Sequence, residues 1–449
     1  MSLRQRLVAI AGLRRWLGSG IGIKRWLVVV FIGELGLALG GAFALRQLYR
    51  DVVITGPVQA LVYVLTLQFL PYILRALILA AVGVAIFGYG SYRVLQVLMG
   101  PYRSASGDQP LVEVIYQKRF LARGPKIAVL GGGHGLSTLL RGLKEHTSNL
   151  TAIVTVADDG GSSGKLRDQL GVPAVGDIRN CLVALADAEP LMSELFQYRF
   201  PGEEVPAGLA GHAIGNLLIA AMTAVEQGDF EEGVRRMNRV LAVRGRVVPA
   251  TASPLVLHAA LRDGTLVEGQ SRIARTTEID RVWLSPEDVR ASDDALVAIA
   301  EADVIVLGPG SLFTSLLPSL LLPDIRQALA ASSALRIYVC NVATQAGETD
   351  GFDLADHVEA LERHTMAGII DVVLANNRTT RTTLDGGHPE TVRLRWPPAG
   401  PRPARLVLDD VVDPDSPIHH DPERLAAAII RIAEREGALR RRGGVARTA

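Results

Sequence analysis

Apolar positions follow two different rules along this chain. Near the N-terminus they are continuous. Residues 26–45 carry a single charge, Glu34, and residues 72–98 carry only Arg75 near the start and Arg93 near the end. Each run has the roughly 20 residues needed to cross a bilayer as a helix. Residues 58–70 between them are apolar but short, and read as an interfacial or re-entrant piece or as an extension of the second span. From Lys126 onward the pattern changes. Short β-branched runs at 126–130, 150–156, 303–307, 336–340 and 371–375 predict buried strands. Stretches of helical period at 136–145, 178–186, 214–226, 229–241, 287–301, 312–321, 324–331, 354–364 and 422–434 predict helices. The alternation predicts an α/β fold, a Rossmann-like mostly parallel sheet with helices on both faces. Residues 256–261 and 266–270, joined by an Asp263–Thr265 turn, predict a small antiparallel insert within it.

Composition sharpens this division. Hydrophobic residues make up 49% of the 449 and charged residues 21%, with mean hydropathy +0.25, an apolar excess that the N-terminal runs explain. The expected domains are a membrane segment at 1–99 with two transmembrane helices, a Gly/Pro/Ser-rich linker at 100–124 ending in a short strand at 111–115, an α/β domain at 125–436 and a basic tail at 437–449. Arg4, Arg6, Arg14, Arg15, Lys24 and Arg25 precede the first run, and Arg93, Arg103, Lys118 and Arg119 follow the second. Only Arg46 and Arg50 lie clearly in the connection, so the positive-inside rule puts both ends in the cytoplasm. The expected location is therefore the inner membrane, multi-pass, with the large C-terminal domain cytoplasmic. Glu34 reads as facing the partner helix or as neutral, with a functional intramembrane carboxylate as the alternative. A net charge of +1 argues against nucleic acid as a partner. Cys181 and Cys340, far apart in apolar runs, predict neither a disulfide framework nor a zinc site, and fit a reducing compartment.

The candidate chemistry sits at predicted strand ends. Gly131, Gly132, Gly133, His134 and Gly135 follow a buried strand and open a helix with Ser137 in its first turns. Glycines there let backbone amides approach an anion at the positive helix end. The spacing is neither dinucleotide fingerprint nor Walker loop: Leu136 or Thr138 stands where the last glycine belongs, and no Lys-Ser/Thr follows. Asp158 and Asp159 end the second strand, ahead of a loop formed by Gly160, Gly161, Ser162, Ser163 and Gly164. Such a pair can hold a divalent cation, grip ribose or base donors, orient a hydroxyl, or merely cap a helix. Asp177 and Asn180 open the next helix, where Asp177 can also serve as an N-cap, and Asn216 opens a later one beside a hydrogen-bonding loop residue, His212. Gly308, Pro309, Gly310 and Ser311 repeat the strand, glycine turn and helix-start pattern as a second anion site. Asn341 follows the next strand, whose Cys340 reads as a small core residue. Arg244 and Arg246 lie in a loop or edge strand, where they clamp a phosphate or carboxylate or are simply solvated.

Taken in order, the phrases Gly131–Ser137, Ala157–Gly164, Gly176–Cys181, Phe196–Phe200, Gly211–Ala220, Leu241–Pro249, Gly308–Ser315 and Cys340–Gly351 closely resemble the gluconeogenesis factor family. Members are relatives of 2-phospho-L-lactate transferase described as binding UDP-N-acetylglucosamine. The likeness covers about residues 126–434, with His134 in place of an expected threonine and Ala343 and Ala346 softening the last loop. It implies a nucleotide-type ligand at the strand ends, Asp158 and Asp159 as the charged pair, and Gly308–Ser311 as the nucleotide-phosphate loop. The leading expectation is a membrane-tethered regulator that binds a UDP-sugar and links gluconeogenic growth to cell shape and peptidoglycan synthesis. The alternative is a transferase of phospholactyl or phosphoryl groups, with Asp158 and Asp159 as ligands of Mg²⁺, the one candidate cofactor. A third is a membrane scaffold with a vestigial pocket. Expected partners are the UDP-sugar, the membrane, a second copy of the chain and regulators of envelope synthesis.

Overall fold

The computed structural model describes residues 121–186, 190–201, 208–378, 390–396 and 404–438, the backbone of a helix at Tyr72–Ala105, and scattered positions between 32 and 71. Most of the first predicted span, the predicted strand at 111–115 and the tail from 439 lie outside the described residues. The chain divides into two compact units, Met1–Phe120 and Leu121–Ala449.

In the first unit, helix α1 (Tyr72–Ala105) is 34 residues long. Its window Ile73–Gly90 has mean hydropathy 2.0 and none of it is buried. Among the described residues it is the one helix long and apolar enough to cross a membrane, so two spans are not shown. The helix also runs through Gly100 and Pro101 to Ala105, into the stretch read as linker.

The second unit begins with β1 (Ile127–Gly131), α2 (Gly133–Leu143), β2 (Leu150–Val154), α3 (Gly161–Leu170), α4 (Gly176–Leu185), α5 (Pro190–Gln197), α6 (Ile214–Val225), α7 (Phe230–Val240) and β3 (Arg246–Pro249). The insert follows as β4 (Val256–Leu261), β5 (Leu266–Glu268), the single-turn helix α8 (Gln270–Ile273) and β6 (Ile279–Ser285). The chain then makes α9 (Asp293–Glu301), β7 (Val304–Leu307), a π-helical turn at Leu312–Leu316, α10 (Leu317–Leu320), α11 (Pro323–Ala331), β8 (Leu335–Val339), α12 (Leu354–His364), β9 (Val372–Asn376), β10 (Arg405–Asp409) and α13 (Pro422–Arg435).

The main sheet is seven-stranded in the order β10-β9-β8-β7-β1-β2-β3, and each pairing is parallel. β1, β2, β7 and β9 are buried at every residue, which is why they read as unbroken apolar runs rather than alternating ones. β1 is the switch point. Strands β2 and β3 build outward on one side of it and β7 to β10 on the other. Right-handed crossovers in the two directions send helices to opposite faces. α2 packs against α4 and α13 on one of them. The insert is an antiparallel sheet in the order β5-β4-β6, with the predicted hairpin extended by a strand the sequence did not reveal.

The differences from expectation have local causes. β2 stops at Val154 because Thr155 to Gly160 leave the sheet. Gly160–Gly164, expected to be a loop, starts α3: Gly160 is the N-cap and Gly164 N–H donates to its carbonyl at 3.1 Å. The helix expected from 287 begins at Asp293, and that expected from 312 opens as the π-helical turn.

Candidate ligand-binding site

In an open parallel sheet the loops at the strand carboxyl ends diverge at the switch point and leave a crevice. Here the turn after β1, the turn after β7 and the loop after β8 meet there. Gly132–Gly135, Pro309–Ser311 and 341–346 line a cavity of about 630 Å³, joined by Thr138, Asp158, Asp177, Gln270, Thr314, Ser315 and 418–420. The two glycine turns touch. A Cβ on Gly135 would lie 2.7 Å from the Pro309 carbonyl oxygen, so no larger residue fits without moving backbone. Asn341 laces the second turn to β8, its Nδ2 donating to the Gly310 carbonyl at 3.0 Å and its Oδ1 accepting from Gly310 N–H at 3.3 Å. α2 begins beside this junction with Gly132 as N-cap, no side-chain cap bond and no acid in its first turn. Apart from Gly133 N–H, which donates to Asp177, its leading N–H groups and the positive end of its dipole are thus available to an anion in the crevice.

Two carboxylates face that positive end. Asp177, in the first turn of α4, presses against the first turn: a Cβ on Gly132 would lie 2.5 Å from its Oδ2. Burial raises its pKa to about 6, the Asp158 charge adds to this, and a hydrogen bond from Gly133 N–H and the Arg179 charge oppose it. Burial also raises Asp158, against hydrogen bonds from Gly160 N–H, at 2.9 Å, and the Ser163 hydroxyl. Two partly desolvated carboxylates side by side repel, and a divalent cation would relieve both. Mg²⁺ typically uses one or two protein carboxylates together with phosphate oxygens and water. The donors that fit are Asp158 and Asp177, not the neighbours Asp158 and Asp159. Asp159 Oδ1 is taken by Ser271 N–H at 2.8 Å.

Behind the second turn runs a polar relay. Ser311 Oγ donates to Gln345 Oε1 at 2.6 Å, and Gln345 Nε2 donates to Glu348 Oε1 at 3.2 Å. Glu348 also accepts from Phe313 N–H at 3.2 Å and from the Thr314 hydroxyl. Burial raises it to about 7 despite those donors. His420, 8% exposed, closes the cavity from the segment ahead of α13, and burial lowers it to about 4. Neither of its ring nitrogens has a partner at hydrogen-bonding geometry, although the carbonyls of Val411 and Cys340 lie close enough to oppose that shift.

Of the residues expected at the site, Gly132, Gly133, His134, Gly135, Asp158, Asp177, Pro309, Gly310, Ser311 and Asn341 line the cavity. The others stand behind or away from it. Gly131 ends β1 and Gly308 begins the turn after β7. Ser137 Oγ donates to the Gly133 carbonyl within α2 at 3.1 Å. Gly160 and Gly161 form the start of α3. Ser162 is buried among His212 Nδ1 at 3.1 Å and Asn216 Nδ2 at 3.0 Å, and Ser163 serves Asp158. Asn180 accepts from Arg179 at 2.9 Å. Arg244 is a correction: it precedes β3, at the amino-terminal end of the sheet, where it bonds Glu145 at 3.2 Å. Missed were Thr138, Gln270, Thr314, Ser315, Val342 to Ala346 and Ile418 to His420. The one signal for the last group was a tandem histidine just ahead of an Asp-Pro helix start, in a chain with nine histidines.

Residues 127–390 match the family described as 2-phospho-L-lactate transferase CofD. A protein of Nostoc sp. that carries the gluconeogenesis factor name is 42% identical over 435 residues, 93% of this chain and 92% of its own. The gluconeogenesis factor of Bacillus subtilis is 43% identical over 325 residues, covering 69% of this chain and 98% of its own. A crystal structure of a protein from Bacillus halodurans is similar with a TM-score of 0.63 and 43% identity, over 68% of this chain and 99% of that one.

Proposed function

The chain belongs to the gluconeogenesis factor family of CofD-like proteins, and on that premise we propose that its α/β unit is a nucleotide-sugar sensor. The ligand is of the UDP-N-acetylglucosamine kind and lies in the crevice between β1 and β7, with its diphosphate over the start of α2. The observation that carries this is the meeting of two glycine turns with an uncapped helix start on one 630 Å³ cavity. A diphosphate needs amides, and the cavity is large enough for the attached base or sugar. Asp158 and Asp177 would hold Mg²⁺ against the phosphates. Occupancy reports carbon supply to the machinery that sets peptidoglycan synthesis and cell shape.

The exposed apolar α1, paired with a second span at 26–45, tethers the unit to the inner face of the cytoplasmic membrane, with both chain ends inside. Besides the ligand and the lipid, regulators of envelope synthesis and a second copy of the chain are the partners of this reading. A periplasm-only reporter fused to the C-terminus should stay silent; a signal would overturn the topology.

A second reading has its own observation. The Asp158 and Asp177 pair suits metal-assisted transfer of a phosphorus-containing group, as the family match implies. Calorimetry of the full chain in detergent with UDP-N-acetylglucosamine, UDP, GDP and GTP, with and without Mg²⁺, tests both. A sensor binds the UDP-sugar and leaves it intact. A transferase turns it or another donor over, needs Mg²⁺, and dies in Asp177→Asn. No heat with any of the four sinks both.

A further inference from the structure

We propose that Asp159 is a positioning residue whose carboxylate clasps the antiparallel insert to the crevice, and that the insert thereby presents Gln270 as the side chain reading an amide-like edge of the ligand. The inference rests on the nucleotide-sugar reading for the ligand but not for the clasp. Asp158 and Asp159 are neighbours with opposite tasks. Asp158 faces the cavity, while Asp159 reaches across 112 residues to accept Ser271 N–H at 2.8 Å. That N–H is one of the orphan donors at the start of α8, so Asp159 caps the insert helix from another part of the chain.

Close packing around the contact shows that it is built. Gly269, at φ +95°, sits where a Cβ would lie 2.3 Å from Asp159 Oδ2. A Cβ on Gly160 would lie 2.7 Å from Ser271 Oγ. At the other end of α8, a Cβ on Gly347 would lie 2.9 Å from the Ala274 carbonyl oxygen. Ile273, fully buried, anchors the turn in the core. The single turn of α8 therefore bridges the loop after β2 and the loop after β8, two walls of the same crevice.

What this bridge delivers is Gln270. It lines the cavity, is half-buried, and its side-chain amide makes no hydrogen bond within the described residues. A primary amide is one acceptor beside two donors, the complement of a neutral donor–acceptor edge. UDP-N-acetylglucosamine offers one such edge, the uracil imide, and in its acetamido group a lone donor and a lone acceptor on opposite sides, either of which the amide can meet. A site built to bond such a group discriminates against ligands lacking it.

The test is a double-mutant cycle on the full chain in detergent, read by calorimetry with UDP-N-acetylglucosamine and UDP-glucose, alongside hydrogen exchange of the Ser271 amide without ligand. Gln270→Leu and Asp159→Ala should each weaken UDP-N-acetylglucosamine about 5- to 10-fold, the worth of one hydrogen bond to a ligand. The double variant should be no weaker than the poorer single, because both remove the same contact. Asp159→Asn keeps the accepting Oδ1 and should recover most of the affinity. Exchange at Ser271 should quicken in Asp159→Ala and not in Gln270→Leu. If Gln270 reads the acetamido group, Gln270→Leu also erases the preference over UDP-glucose; if it reads uracil, both ligands weaken alike. Additive losses, a defect in Asp159→Ala seen only with Mg²⁺, or unchanged exchange at Ser271 would each overturn the proposal. Absence of any UDP-sugar binding by the unmutated chain would remove the ligand reading for Gln270, and exchange at Ser271 would still decide the clasp.

Discussion

Three helices of the α/β unit begin behind capping aspartates, and the two that follow the ends of β1 and β2 do not. α7, α12 and α13 start behind aspartates: Asp229 accepts from Glu232 N–H, Asp353 forms a reciprocal box with Asp356, and Asp421 accepts from Arg424 N–H. α2 and α3 start behind Gly132 and Gly160, which have no side chain to cap with, and neither has an acid in its own first turn. A cap is worth about 1 kcal/mol. At these two starts carboxylates from elsewhere in the chain take one N–H each, Asp177 from Gly133 and Asp158 from Gly160, and the donors that follow are left without a side-chain cap. The contrast separates helix starts closed by an aspartate at the N-cap from starts whose N-cap is glycine.

The strongest way to break the contrast is to fill the open end. Gly135→Val would drive a side chain into the Pro309 backbone. It should abolish detectable UDP-N-acetylglucosamine binding in calorimetry and cost about 3 kcal/mol or more in chemical denaturation. Affinity retained with lost stability would mean the turn serves the fold alone.

Next comes the buried carboxylate behind the second turn. Glu348 has its folded pKa raised to about 7 from 4.5, so the folded state binds the extra proton. Its contribution is fully present below pH 4.5 and is lost as pH rises through about 7. Glu348→Gln should flatten that decline and be more stable than the unmutated chain at pH 8 by up to about 3 kcal/mol, the worth of such a shift. Denaturation midpoints from pH 5 to 8 that fall in parallel for both proteins would show that Glu348 is not the group responsible.

A smaller effect follows from giving α2 the acid it lacks. His134 is exposed at the cavity rim, and His134→Glu puts a negative charge at the helix start. It should weaken the UDP-sugar about tenfold in calorimetry while leaving stability equal or slightly higher. Equal affinity at low salt would mean that the diphosphate lies elsewhere. The smallest effect belongs to the control: Asp229→Ala should lower unfolding free energy by about 1 kcal/mol and leave ligand affinity untouched.

The same distinction explains what the sequence made legible. The parallel sheet announced itself because β1, β7 and β9 are covered on both faces and so are apolar at every position. The glycine turns after β1 and β7 were readable because strand, glycine and helix start lie next to each other in the chain. β10 escaped notice because, at the sheet edge, it is only half-covered and begins and ends in charge. α3 escaped because Gly-Ser-Ser-Gly has poor helix propensity; burial of both serines and Gly164 overrides it. Arg244 was misplaced for a topological reason. It lies between a helix and the strand that follows, and such loops fall at the end of the sheet opposite the crevice. Asp159 owes its role to Ser271, 112 residues away, and Gln270 and His420 line a cavity assembled from several separate loops, which no local pattern encodes.

The histidine segment at 418–420 closes a cavity whose first wall is laid down at Gly132. On the ribosome, the glycine turns, the carboxylates and nearly the whole sheet emerge well before that segment does. A nascent chain halted between β10 and α13 has its framework but an incomplete pocket. The cavity is therefore complete only once residues 418–420 have been made, long after its first wall.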